Sequence, residues 1–232
     1  MTATSAAPRW LLTIDTGTSR IVVAAGGPEG SVIRALDWSA GHRHGERLLA
    51  GVEQLLSETG LARAALAGVI VGTGPGAFTG LRVGLATAKT MAHAMGIPIA
   101  GVGTGAALLL AAGVAPRGNA GSLVLLLPAG PHDRVELRAG ATPRLLPGGT
   151  EPELGPDDEL VAVDLAGRAP EDALIRGEAA LGRLAGSLLD LGAARLRGGS
   201  GDDVHLLVPE YVTLPRGIRT AGGEIEWSHG PR

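Results

Sequence analysis

The sequence predicts an α/β fold, a mixed sheet with helices, arranged as two domains of which the second is reduced. Three observations carry this. Through residue 112, short apolar runs of strand length alternate with longer segments of helical period. Three strand-like runs precede the first helix and are separated by turns too short for anything but hairpins. The later strands each follow a helix, which calls for parallel pairing through crossovers.

Taken in order, Trp10–Asp15 reads as a short buried strand, and Arg20–Ala25 as a second one entered through the turn at Thr16–Ser19. Gly26–Gly30 is turn chemistry, and Ser31–Trp38 gives a third strand. His44–Thr59 places Leu48, Leu49, Val52, Leu55 and Leu56 at helical spacing, and Gly60 stops it. Leu66–Val71 is a continuous apolar strand. Thr79–Met95 is a second helix, closed by Gly96 before Pro98. Ile97–Val102 is a strand again, and Thr104–Ala112 a third helix.

The second half is less regular. Gly113–Gly121 is rich in Gly and Pro and reads as a connection between domains. Ser122–Leu127 and Arg134–Ala139 read as strands of a further hairpin, Pro143–Asp158 as an acidic loop, and Glu159–Val163 as another strand. Glu171–Leu191 has helical spacing (Leu174, Leu181, Leu184, Leu188, Leu191), and Val204–Val208 is a final strand. The expected division is 1–104 for the first domain, 105–214 for the smaller second one, and a flexible tail over 215–232.

Composition removes several functions. Of 232 residues, 45% are hydrophobic and 19% charged, the balance of a chain with a packed core. There is no cysteine, which excludes disulfides, thiol catalysis and cysteine-type zinc sites. The net charge of −3 argues against a dedicated nucleic-acid binder. No secretory leader is expected at the N-terminus, and no apolar run approaches a membrane span, so a cytoplasmic location is expected.

Two motifs carry chemistry. The first is Asp15-Thr16-Gly17-Thr18, directly after a strand. A tight turn with amides and hydroxyls turned inward beside a carboxylate can cradle a phosphate and its metal ion. The same residues also make an ordinary hairpin turn with Asp15 capping local amides, and on the motif alone that reading comes first. Its position, between the first two strands ahead of the first helix, is where the actin-like and Hsp70-like ATPase fold keeps its first phosphate loop.

The second motif is more specific: Gly72-Thr73-Gly74-Pro75-Gly76-Ala77-Phe78-Thr79-Gly80-Leu81-Arg82-Val83-Gly84. Gly74, Pro75 and Gly76 force a turn, and Thr79 is placed to cap a helix. Along that helix Gly80, Gly84, Ala88 and Ala92 recur every fourth residue and leave one stripe almost bare. Glycine in a helix costs up to about 1 kcal/mol against alanine, so the stripe needs a packing reason. It packs either on the protein's own sheet or against a partner helix, with Phe78, Leu81 and Leu85 as anchors in the second case.

The run Gly74–Gly84, followed by Ile97-Pro98-Ile99-Ala100-Gly101-Val102-Gly103-Thr104, resembles the bacterial TsaB (YeaZ-type) family, relatives of TsaD in the actin-like ATPase superfamily. Leu12-Thr13-Ile14-Asp15-Thr16-Gly17-Thr18 is similar to that family's opening. His44-Gly45-Glu46-Arg47-Leu48-Leu49 resembles its first helix entry, and Pro209-Glu210-Tyr211-Val212 its close. The likeness is dense over residues 10–108 and thin beyond.

The resemblance implies an actin-like, ribonuclease H-like fold and a non-catalytic dimerization subunit of the complex that forms N6-threonylcarbamoyladenosine at position 37 of tRNA. It implies pairing with a TsaD-like catalytic subunit through the helix beginning near Gly80, and a homodimer through the same face when alone. The implied interface is Gly74, Pro75, Gly76, Phe78, Thr79, Gly80, Leu81, Arg82, Gly84, Leu85 and Ala88. A TsaE-like ATPase is the third implied component, and tRNA is met only through the complex. No cofactor of its own is implied; ATP or ADP belongs, if anywhere, at the interface with the catalytic subunit.

The chain departs from its relatives in two places. Where the catalytic relative carries a metal-binding His-x-x-x-His, this sequence has Thr104 and Leu108, neither of which holds a metal as histidine does. No metal site and no catalytic residue are therefore expected. Where the family shows Asp-Ala-Arg after the first strand of the second domain, this chain has Pro128-Ala129-Gly130. Two further readings follow from the fold. A self-sufficient small-molecule kinase would use Asp15–Thr18 with a carboxylate such as Asp133, Asp157 or Asp164. A metallopeptidase is the weakest, for want of ligands.

Overall fold

The computed structural model describes residues 9–39, 44–113, 122–199 and 201–212. Its first sheet has five strands, β1 (Trp10–Asp15), β2 (Arg20–Gly26), β3 (Val32–Ser39), β4 (Leu66–Gly74) and β5 (Ile99–Gly103), in the order β3-β2-β1-β4-β5. β3, β2 and β1 pair antiparallel, and β1, β4 and β5 pair parallel. The second sheet holds β6 (Leu123–Pro128), β7 (Arg134–Leu137), β8 (Arg144–Leu146) and β9 (Glu159–Ala162) in the order β8-β7-β6-β9. The mixed-sheet α/β reading therefore holds.

β1 is buried along its whole length because both faces of the sheet are covered, which is why it reads as a continuous apolar run. One face packs Leu12, Ile14, Val23, Val69 and Val71 against helices α1 (His44–Thr59) and α2 (Phe78–Met95). The other packs Leu11, Val22 and Ile70 into a cluster shared with α3 (Thr104–Gly113), α5 (Leu184–Arg197) and the inner face of the second sheet, Leu125, Leu127, Val135 and Val161. α2 ends on Gly96 in the left-handed region (φ 60°), with the Ile97 amide donating back to Ala92 O at 3.1 Å.

Four readings of the second half change. The helix expected over Glu171–Leu191 is two: α4 (Glu171–Leu181) and α5, broken at Gly182. Both pieces bury the same side, so the leucine period runs through the break and conceals it. The stretch Val204–Val208 is not a strand. Leu206 and Leu207 amides donate to Asp203 O in a turn, and the only ladder contact nearby is a bridge between Ile99 and Asp202. The loop expected over Pro143–Asp158 contains the short edge strand β8. Finally α5, expected within the second domain, lies against β1, β2, β4 and β5 of the first sheet, so the two sheets share one core. The connection 114–121 and the tail 215–232 lie outside the described residues.

Candidate functional site

β1 delivers Asp15 to the carboxyl end of the sheet, where it is completely buried. Its Oδ1 accepts from the Gly17 amide at 2.9 Å, and its Oδ2 from the Thr104 hydroxyl at 2.6 Å. Thr104 Oγ1 in turn accepts from the Gly74 amide at 3.1 Å. One carboxylate and one hydroxyl thus tie together the ends of β1 and β4 and the start of α3. Burial pushes the Asp15 carboxyl up from 3.8 to about 6; the bonds from Thr104 and Gly17 pull the other way, and nearby Asp164 adds to the rise. Gly72 is needed beside it, since a Cβ there would overlap the Asp15 carboxylate.

The turn that follows is directed inward. Thr16 Oγ1 donates to Gly80 O at 2.7 Å. The Ala77 amide donates to Gly17 O at 2.7 Å, and Gly76 presses so close to that carbonyl that no side chain fits between. Thr18 Oγ1 is spent on Arg20, donating to its carbonyl at 3.1 Å. Of the turn's polar groups, the Thr16 hydroxyl and the Gly17 carbonyl are engaged with the Gly76–Gly80 segment, Asp15 with Gly17 and Thr104, and the Thr18 hydroxyl with Arg20. Outside this turn, the Ser19 amide donates to Asp164 Oδ2 at 2.6 Å, and Arg20 bridges Asp37 and Glu178. Of the three kinase-type carboxylates, Asp164 alone is brought to the turn. Asp133 accepts from the Gly148 amide, and Asp157 is exposed.

The small-residue stripe packs within the monomer. Gly80, Gly84, Ala88 and Ala92 are buried, together with Leu81 and Leu85, and a Cβ at Gly84 would land on the Thr16 hydroxyl. The packing reason for the two glycines is therefore the Asp15–Thr18 turn and the protein's own sheet. This corrects the assignment of Gly80, Leu81, Gly84, Leu85 and Ala88, with Gly74 and Pro75, to a partner surface: all seven are buried. Of the expected interface residues, Thr79 and Arg82 are exposed, and Gly76 and Phe78 partly so. The outward face of α2 is instead formed by Thr79, Arg82, Val83, Ala86 and Thr90.

The segment 201–212, within which strand periodicity misreads Val204–Val208, straps this region. Glu210 donates its amide to Thr73 O at 2.7 Å and accepts from the Thr73 hydroxyl at 2.6 Å. Tyr211 packs on Phe78 with ring centroids 5.1 Å apart, and Arg82 lies 3.9 Å over the Phe78 ring while donating to the Tyr211 hydroxyl at 3.2 Å. The sequence signal was Pro209-Glu210-Tyr211-Val212. Pro128–Gly130 makes a plain turn, with Ala129 N donating to Asp133 O and Arg168 to Gly130 O. Thr104 and Leu108 are both buried. Among the described residues no three His, Asp or Glu side chains gather as a metal set, and no helix is long and apolar enough to cross a membrane.

Two mixed sheets around a shared core, with a strand-end carboxylate facing a glycine-rich turn, define a two-sheet α/β protein. YeaZ from Pseudomonas aeruginosa has this fold: it superposes with a TM-score of 0.68 at 24% identity, over 88% of this chain and all of that one. The model of the family described as TsaD, tRNA N6-adenosine threonylcarbamoyltransferase, matches residues 38–141. The tRNA threonylcarbamoyladenosine biosynthesis protein TsaB of Escherichia coli is 32% identical over 94 residues, 40% of each chain. The protein of the same description from Bacillus subtilis is 39% identical over 59 residues, 25% of this chain and 26% of that one. The resemblance to the TsaB (YeaZ-type) family, in the company of TsaD, is thereby borne out. The chain spans less than half the length of each curated relative it matches.

Proposed function

We propose that this chain is a non-catalytic, dimer-forming subunit of a cytoplasmic complex that makes N6-threonylcarbamoyladenosine at position 37 of tRNA. Its direct partner is a TsaD-type catalytic subunit, with a TsaE-type ATPase in the same assembly, and it meets tRNA through the complex. The observation that carries the non-catalytic half is the state of the Asp15–Thr18 turn. Both carboxylate oxygens, the Thr16 hydroxyl and the Gly17 carbonyl are bonded to the chain itself, and Gly76 leaves no room between turn and helix. A loop so closed serves as a structural knot in place of a phosphate cradle. The TsaB and TsaD likenesses support the pathway.

With the glycine stripe consumed internally, the partner docks on the outward face of α2, whose Thr79, Val83, Ala86 and Thr90 are small enough for a second helix to approach closely. Homodimers formed by the chain alone use the same face. The test is reconstitution: the chain should co-purify with a TsaD-type subunit and be required for modification of tRNA, while turning over no ATP alone. A kinase reading has one observation in its favour, Asp164 beside the Asp15 turn. Substantial ATP turnover by the isolated chain would revive it.

A further inference from the structure

The strap 201–212 runs antiparallel to α2 along one flank. Near the C-terminal end of the helix, the rings of His205 and His93 meet edge to face at 6.0 Å. In the middle, Lys89 Nζ donates to Leu207 O at 3.0 Å, and at the N-terminal end Tyr211 meets Arg82 and Phe78. Positions 82, 89 and 93 fall on one stripe of the helix, beside the outward face. The strap is held by polar groups directed inward: Asp202 Oδ2 accepts from the Gly101 amide at 2.7 Å, Asp202 Oδ1 from Arg195 at 2.8 Å, and Glu210 from Thr73.

Val204, Leu207 and Val212 of the strap pack inward on the core, while its other three large apolar side chains are exposed. Leu206 is 75% exposed, Val208 65% and Tyr211 39%, three of the large exposed hydrophobic residues within six positions. A solvated segment is expected to do the reverse, and a clustered exposed apolar patch marks an interaction site. The patch continues the outward face of α2. That helix carries no acidic residue, and among the described residues neither Arg82 nor Lys89 meets a carboxylate. An occupant complementary to this surface has an apolar helix face edged by carboxylates.

We propose that the strap, through Leu206, Val208 and Tyr211, forms the second wall of the docking surface for the TsaD-type subunit, so that the partner helix lies in the angle between α2 and the strap. This rests on the function proposed above and adds to it the surface and the chemistry of contact. The Tyr211–Phe78–Arg82 cluster, aromatic rings plus guanidinium, is the residue mix in which binding energy concentrates.

The test uses the full chain and a purified TsaD-type subunit, with affinity read by titration calorimetry. The double variant Leu206→Ser/Val208→Ser removes exposed side chains only, so its thermal unfolding should match the parent, and its affinity should fall at least tenfold. Ile175→Ser, an equally exposed apolar residue on α4, should bind like the parent. Replacing Arg82 by Gln should flatten the salt dependence of binding. A double variant that binds within twofold of the parent overturns the strap proposal and leaves the function standing. Loss of self-association with heterodimer affinity intact overturns the choice of partner. If the parent chain itself fails to bind, the function and the strap proposal fall together.

Discussion

The Thr104 hydroxyl donates to Asp15 Oδ2 at 2.6 Å across 89 positions of sequence, and Thr104 Oγ1 in turn accepts from the Gly74 amide. Thr104 therefore holds three elements in register from the position where the catalytic relatives are expected to carry a histidine. Thr104→Val keeps the shape and removes both bonds. It should cost roughly 2–4 kcal/mol in urea unfolding, the penalty for an unpaired buried amide and an under-bonded carboxylate. A loss below about 0.5 kcal/mol would show that the relay does not hold the fold.

Asp15 itself should give the protein a measurable pH dependence. Its carboxyl is raised from 3.8 to about 6 by burial, so between those values the folded state keeps a proton that the unfolded chain gives up. Stability from this group is then greatest below pH 4, falls as pH rises to about 6 and is level above, a span of order 3 kcal/mol. Asp15→Asn should remove that decline. Urea midpoints measured from pH 4 to 7 on both proteins check it, and an unchanged slope in the variant would assign the decline elsewhere.

Gly84 separates the two roles that a bare helical stripe could serve. Because a Cβ there would meet Thr16, Gly84→Ala should destabilise the monomer by about 1–3 kcal/mol. Thr16→Ala in the same chain should recover part of that loss, a coupling between neighbours that a denaturant double-mutant cycle measures. Full stability of Gly84→Ala together with broken assembly would restore the stripe to a partner.

On the opposite side of α2, Ala86→Trp should leave the unfolding midpoint within the ±0.5 kcal/mol usual for surface changes while lowering the fraction of homodimer and of complex. Light scattering at fixed concentration reads both. Unchanged masses would move the interface off this helix.

Most of the first sheet was legible because its strands and helices alternate in period. Trp10–Asp15 and Leu66–Val71 were legible as continuous apolar runs buried on both faces, and α2 by its helical period. The Asp15–Thr18 turn and the Gly74–Gly84 run were legible as a site, because glycines clustered at a strand end demand close approach. What was illegible is direction. Periodicity says that Gly80, Gly84 and Ala88 share a face, but not whether that face meets Thr16 or another protein. The break at Gly182 was hidden by leucines in phase on either side. The strap was hidden by its composition: Val204–Val208 is apolar enough for a strand, yet Asp203 captures the His205 amide at 2.8 Å and bends the chain into a turn.

The most direct measurement of the proposed role is the amount of N6-threonylcarbamoyladenosine formed on tRNA by TsaD-type and TsaE-type proteins with threonylcarbamoyl adenylate, with and without this chain. Modification that depends on the chain, and that survives Asp15→Asn in it, is the expected result. Equal modification in its absence would contradict the account.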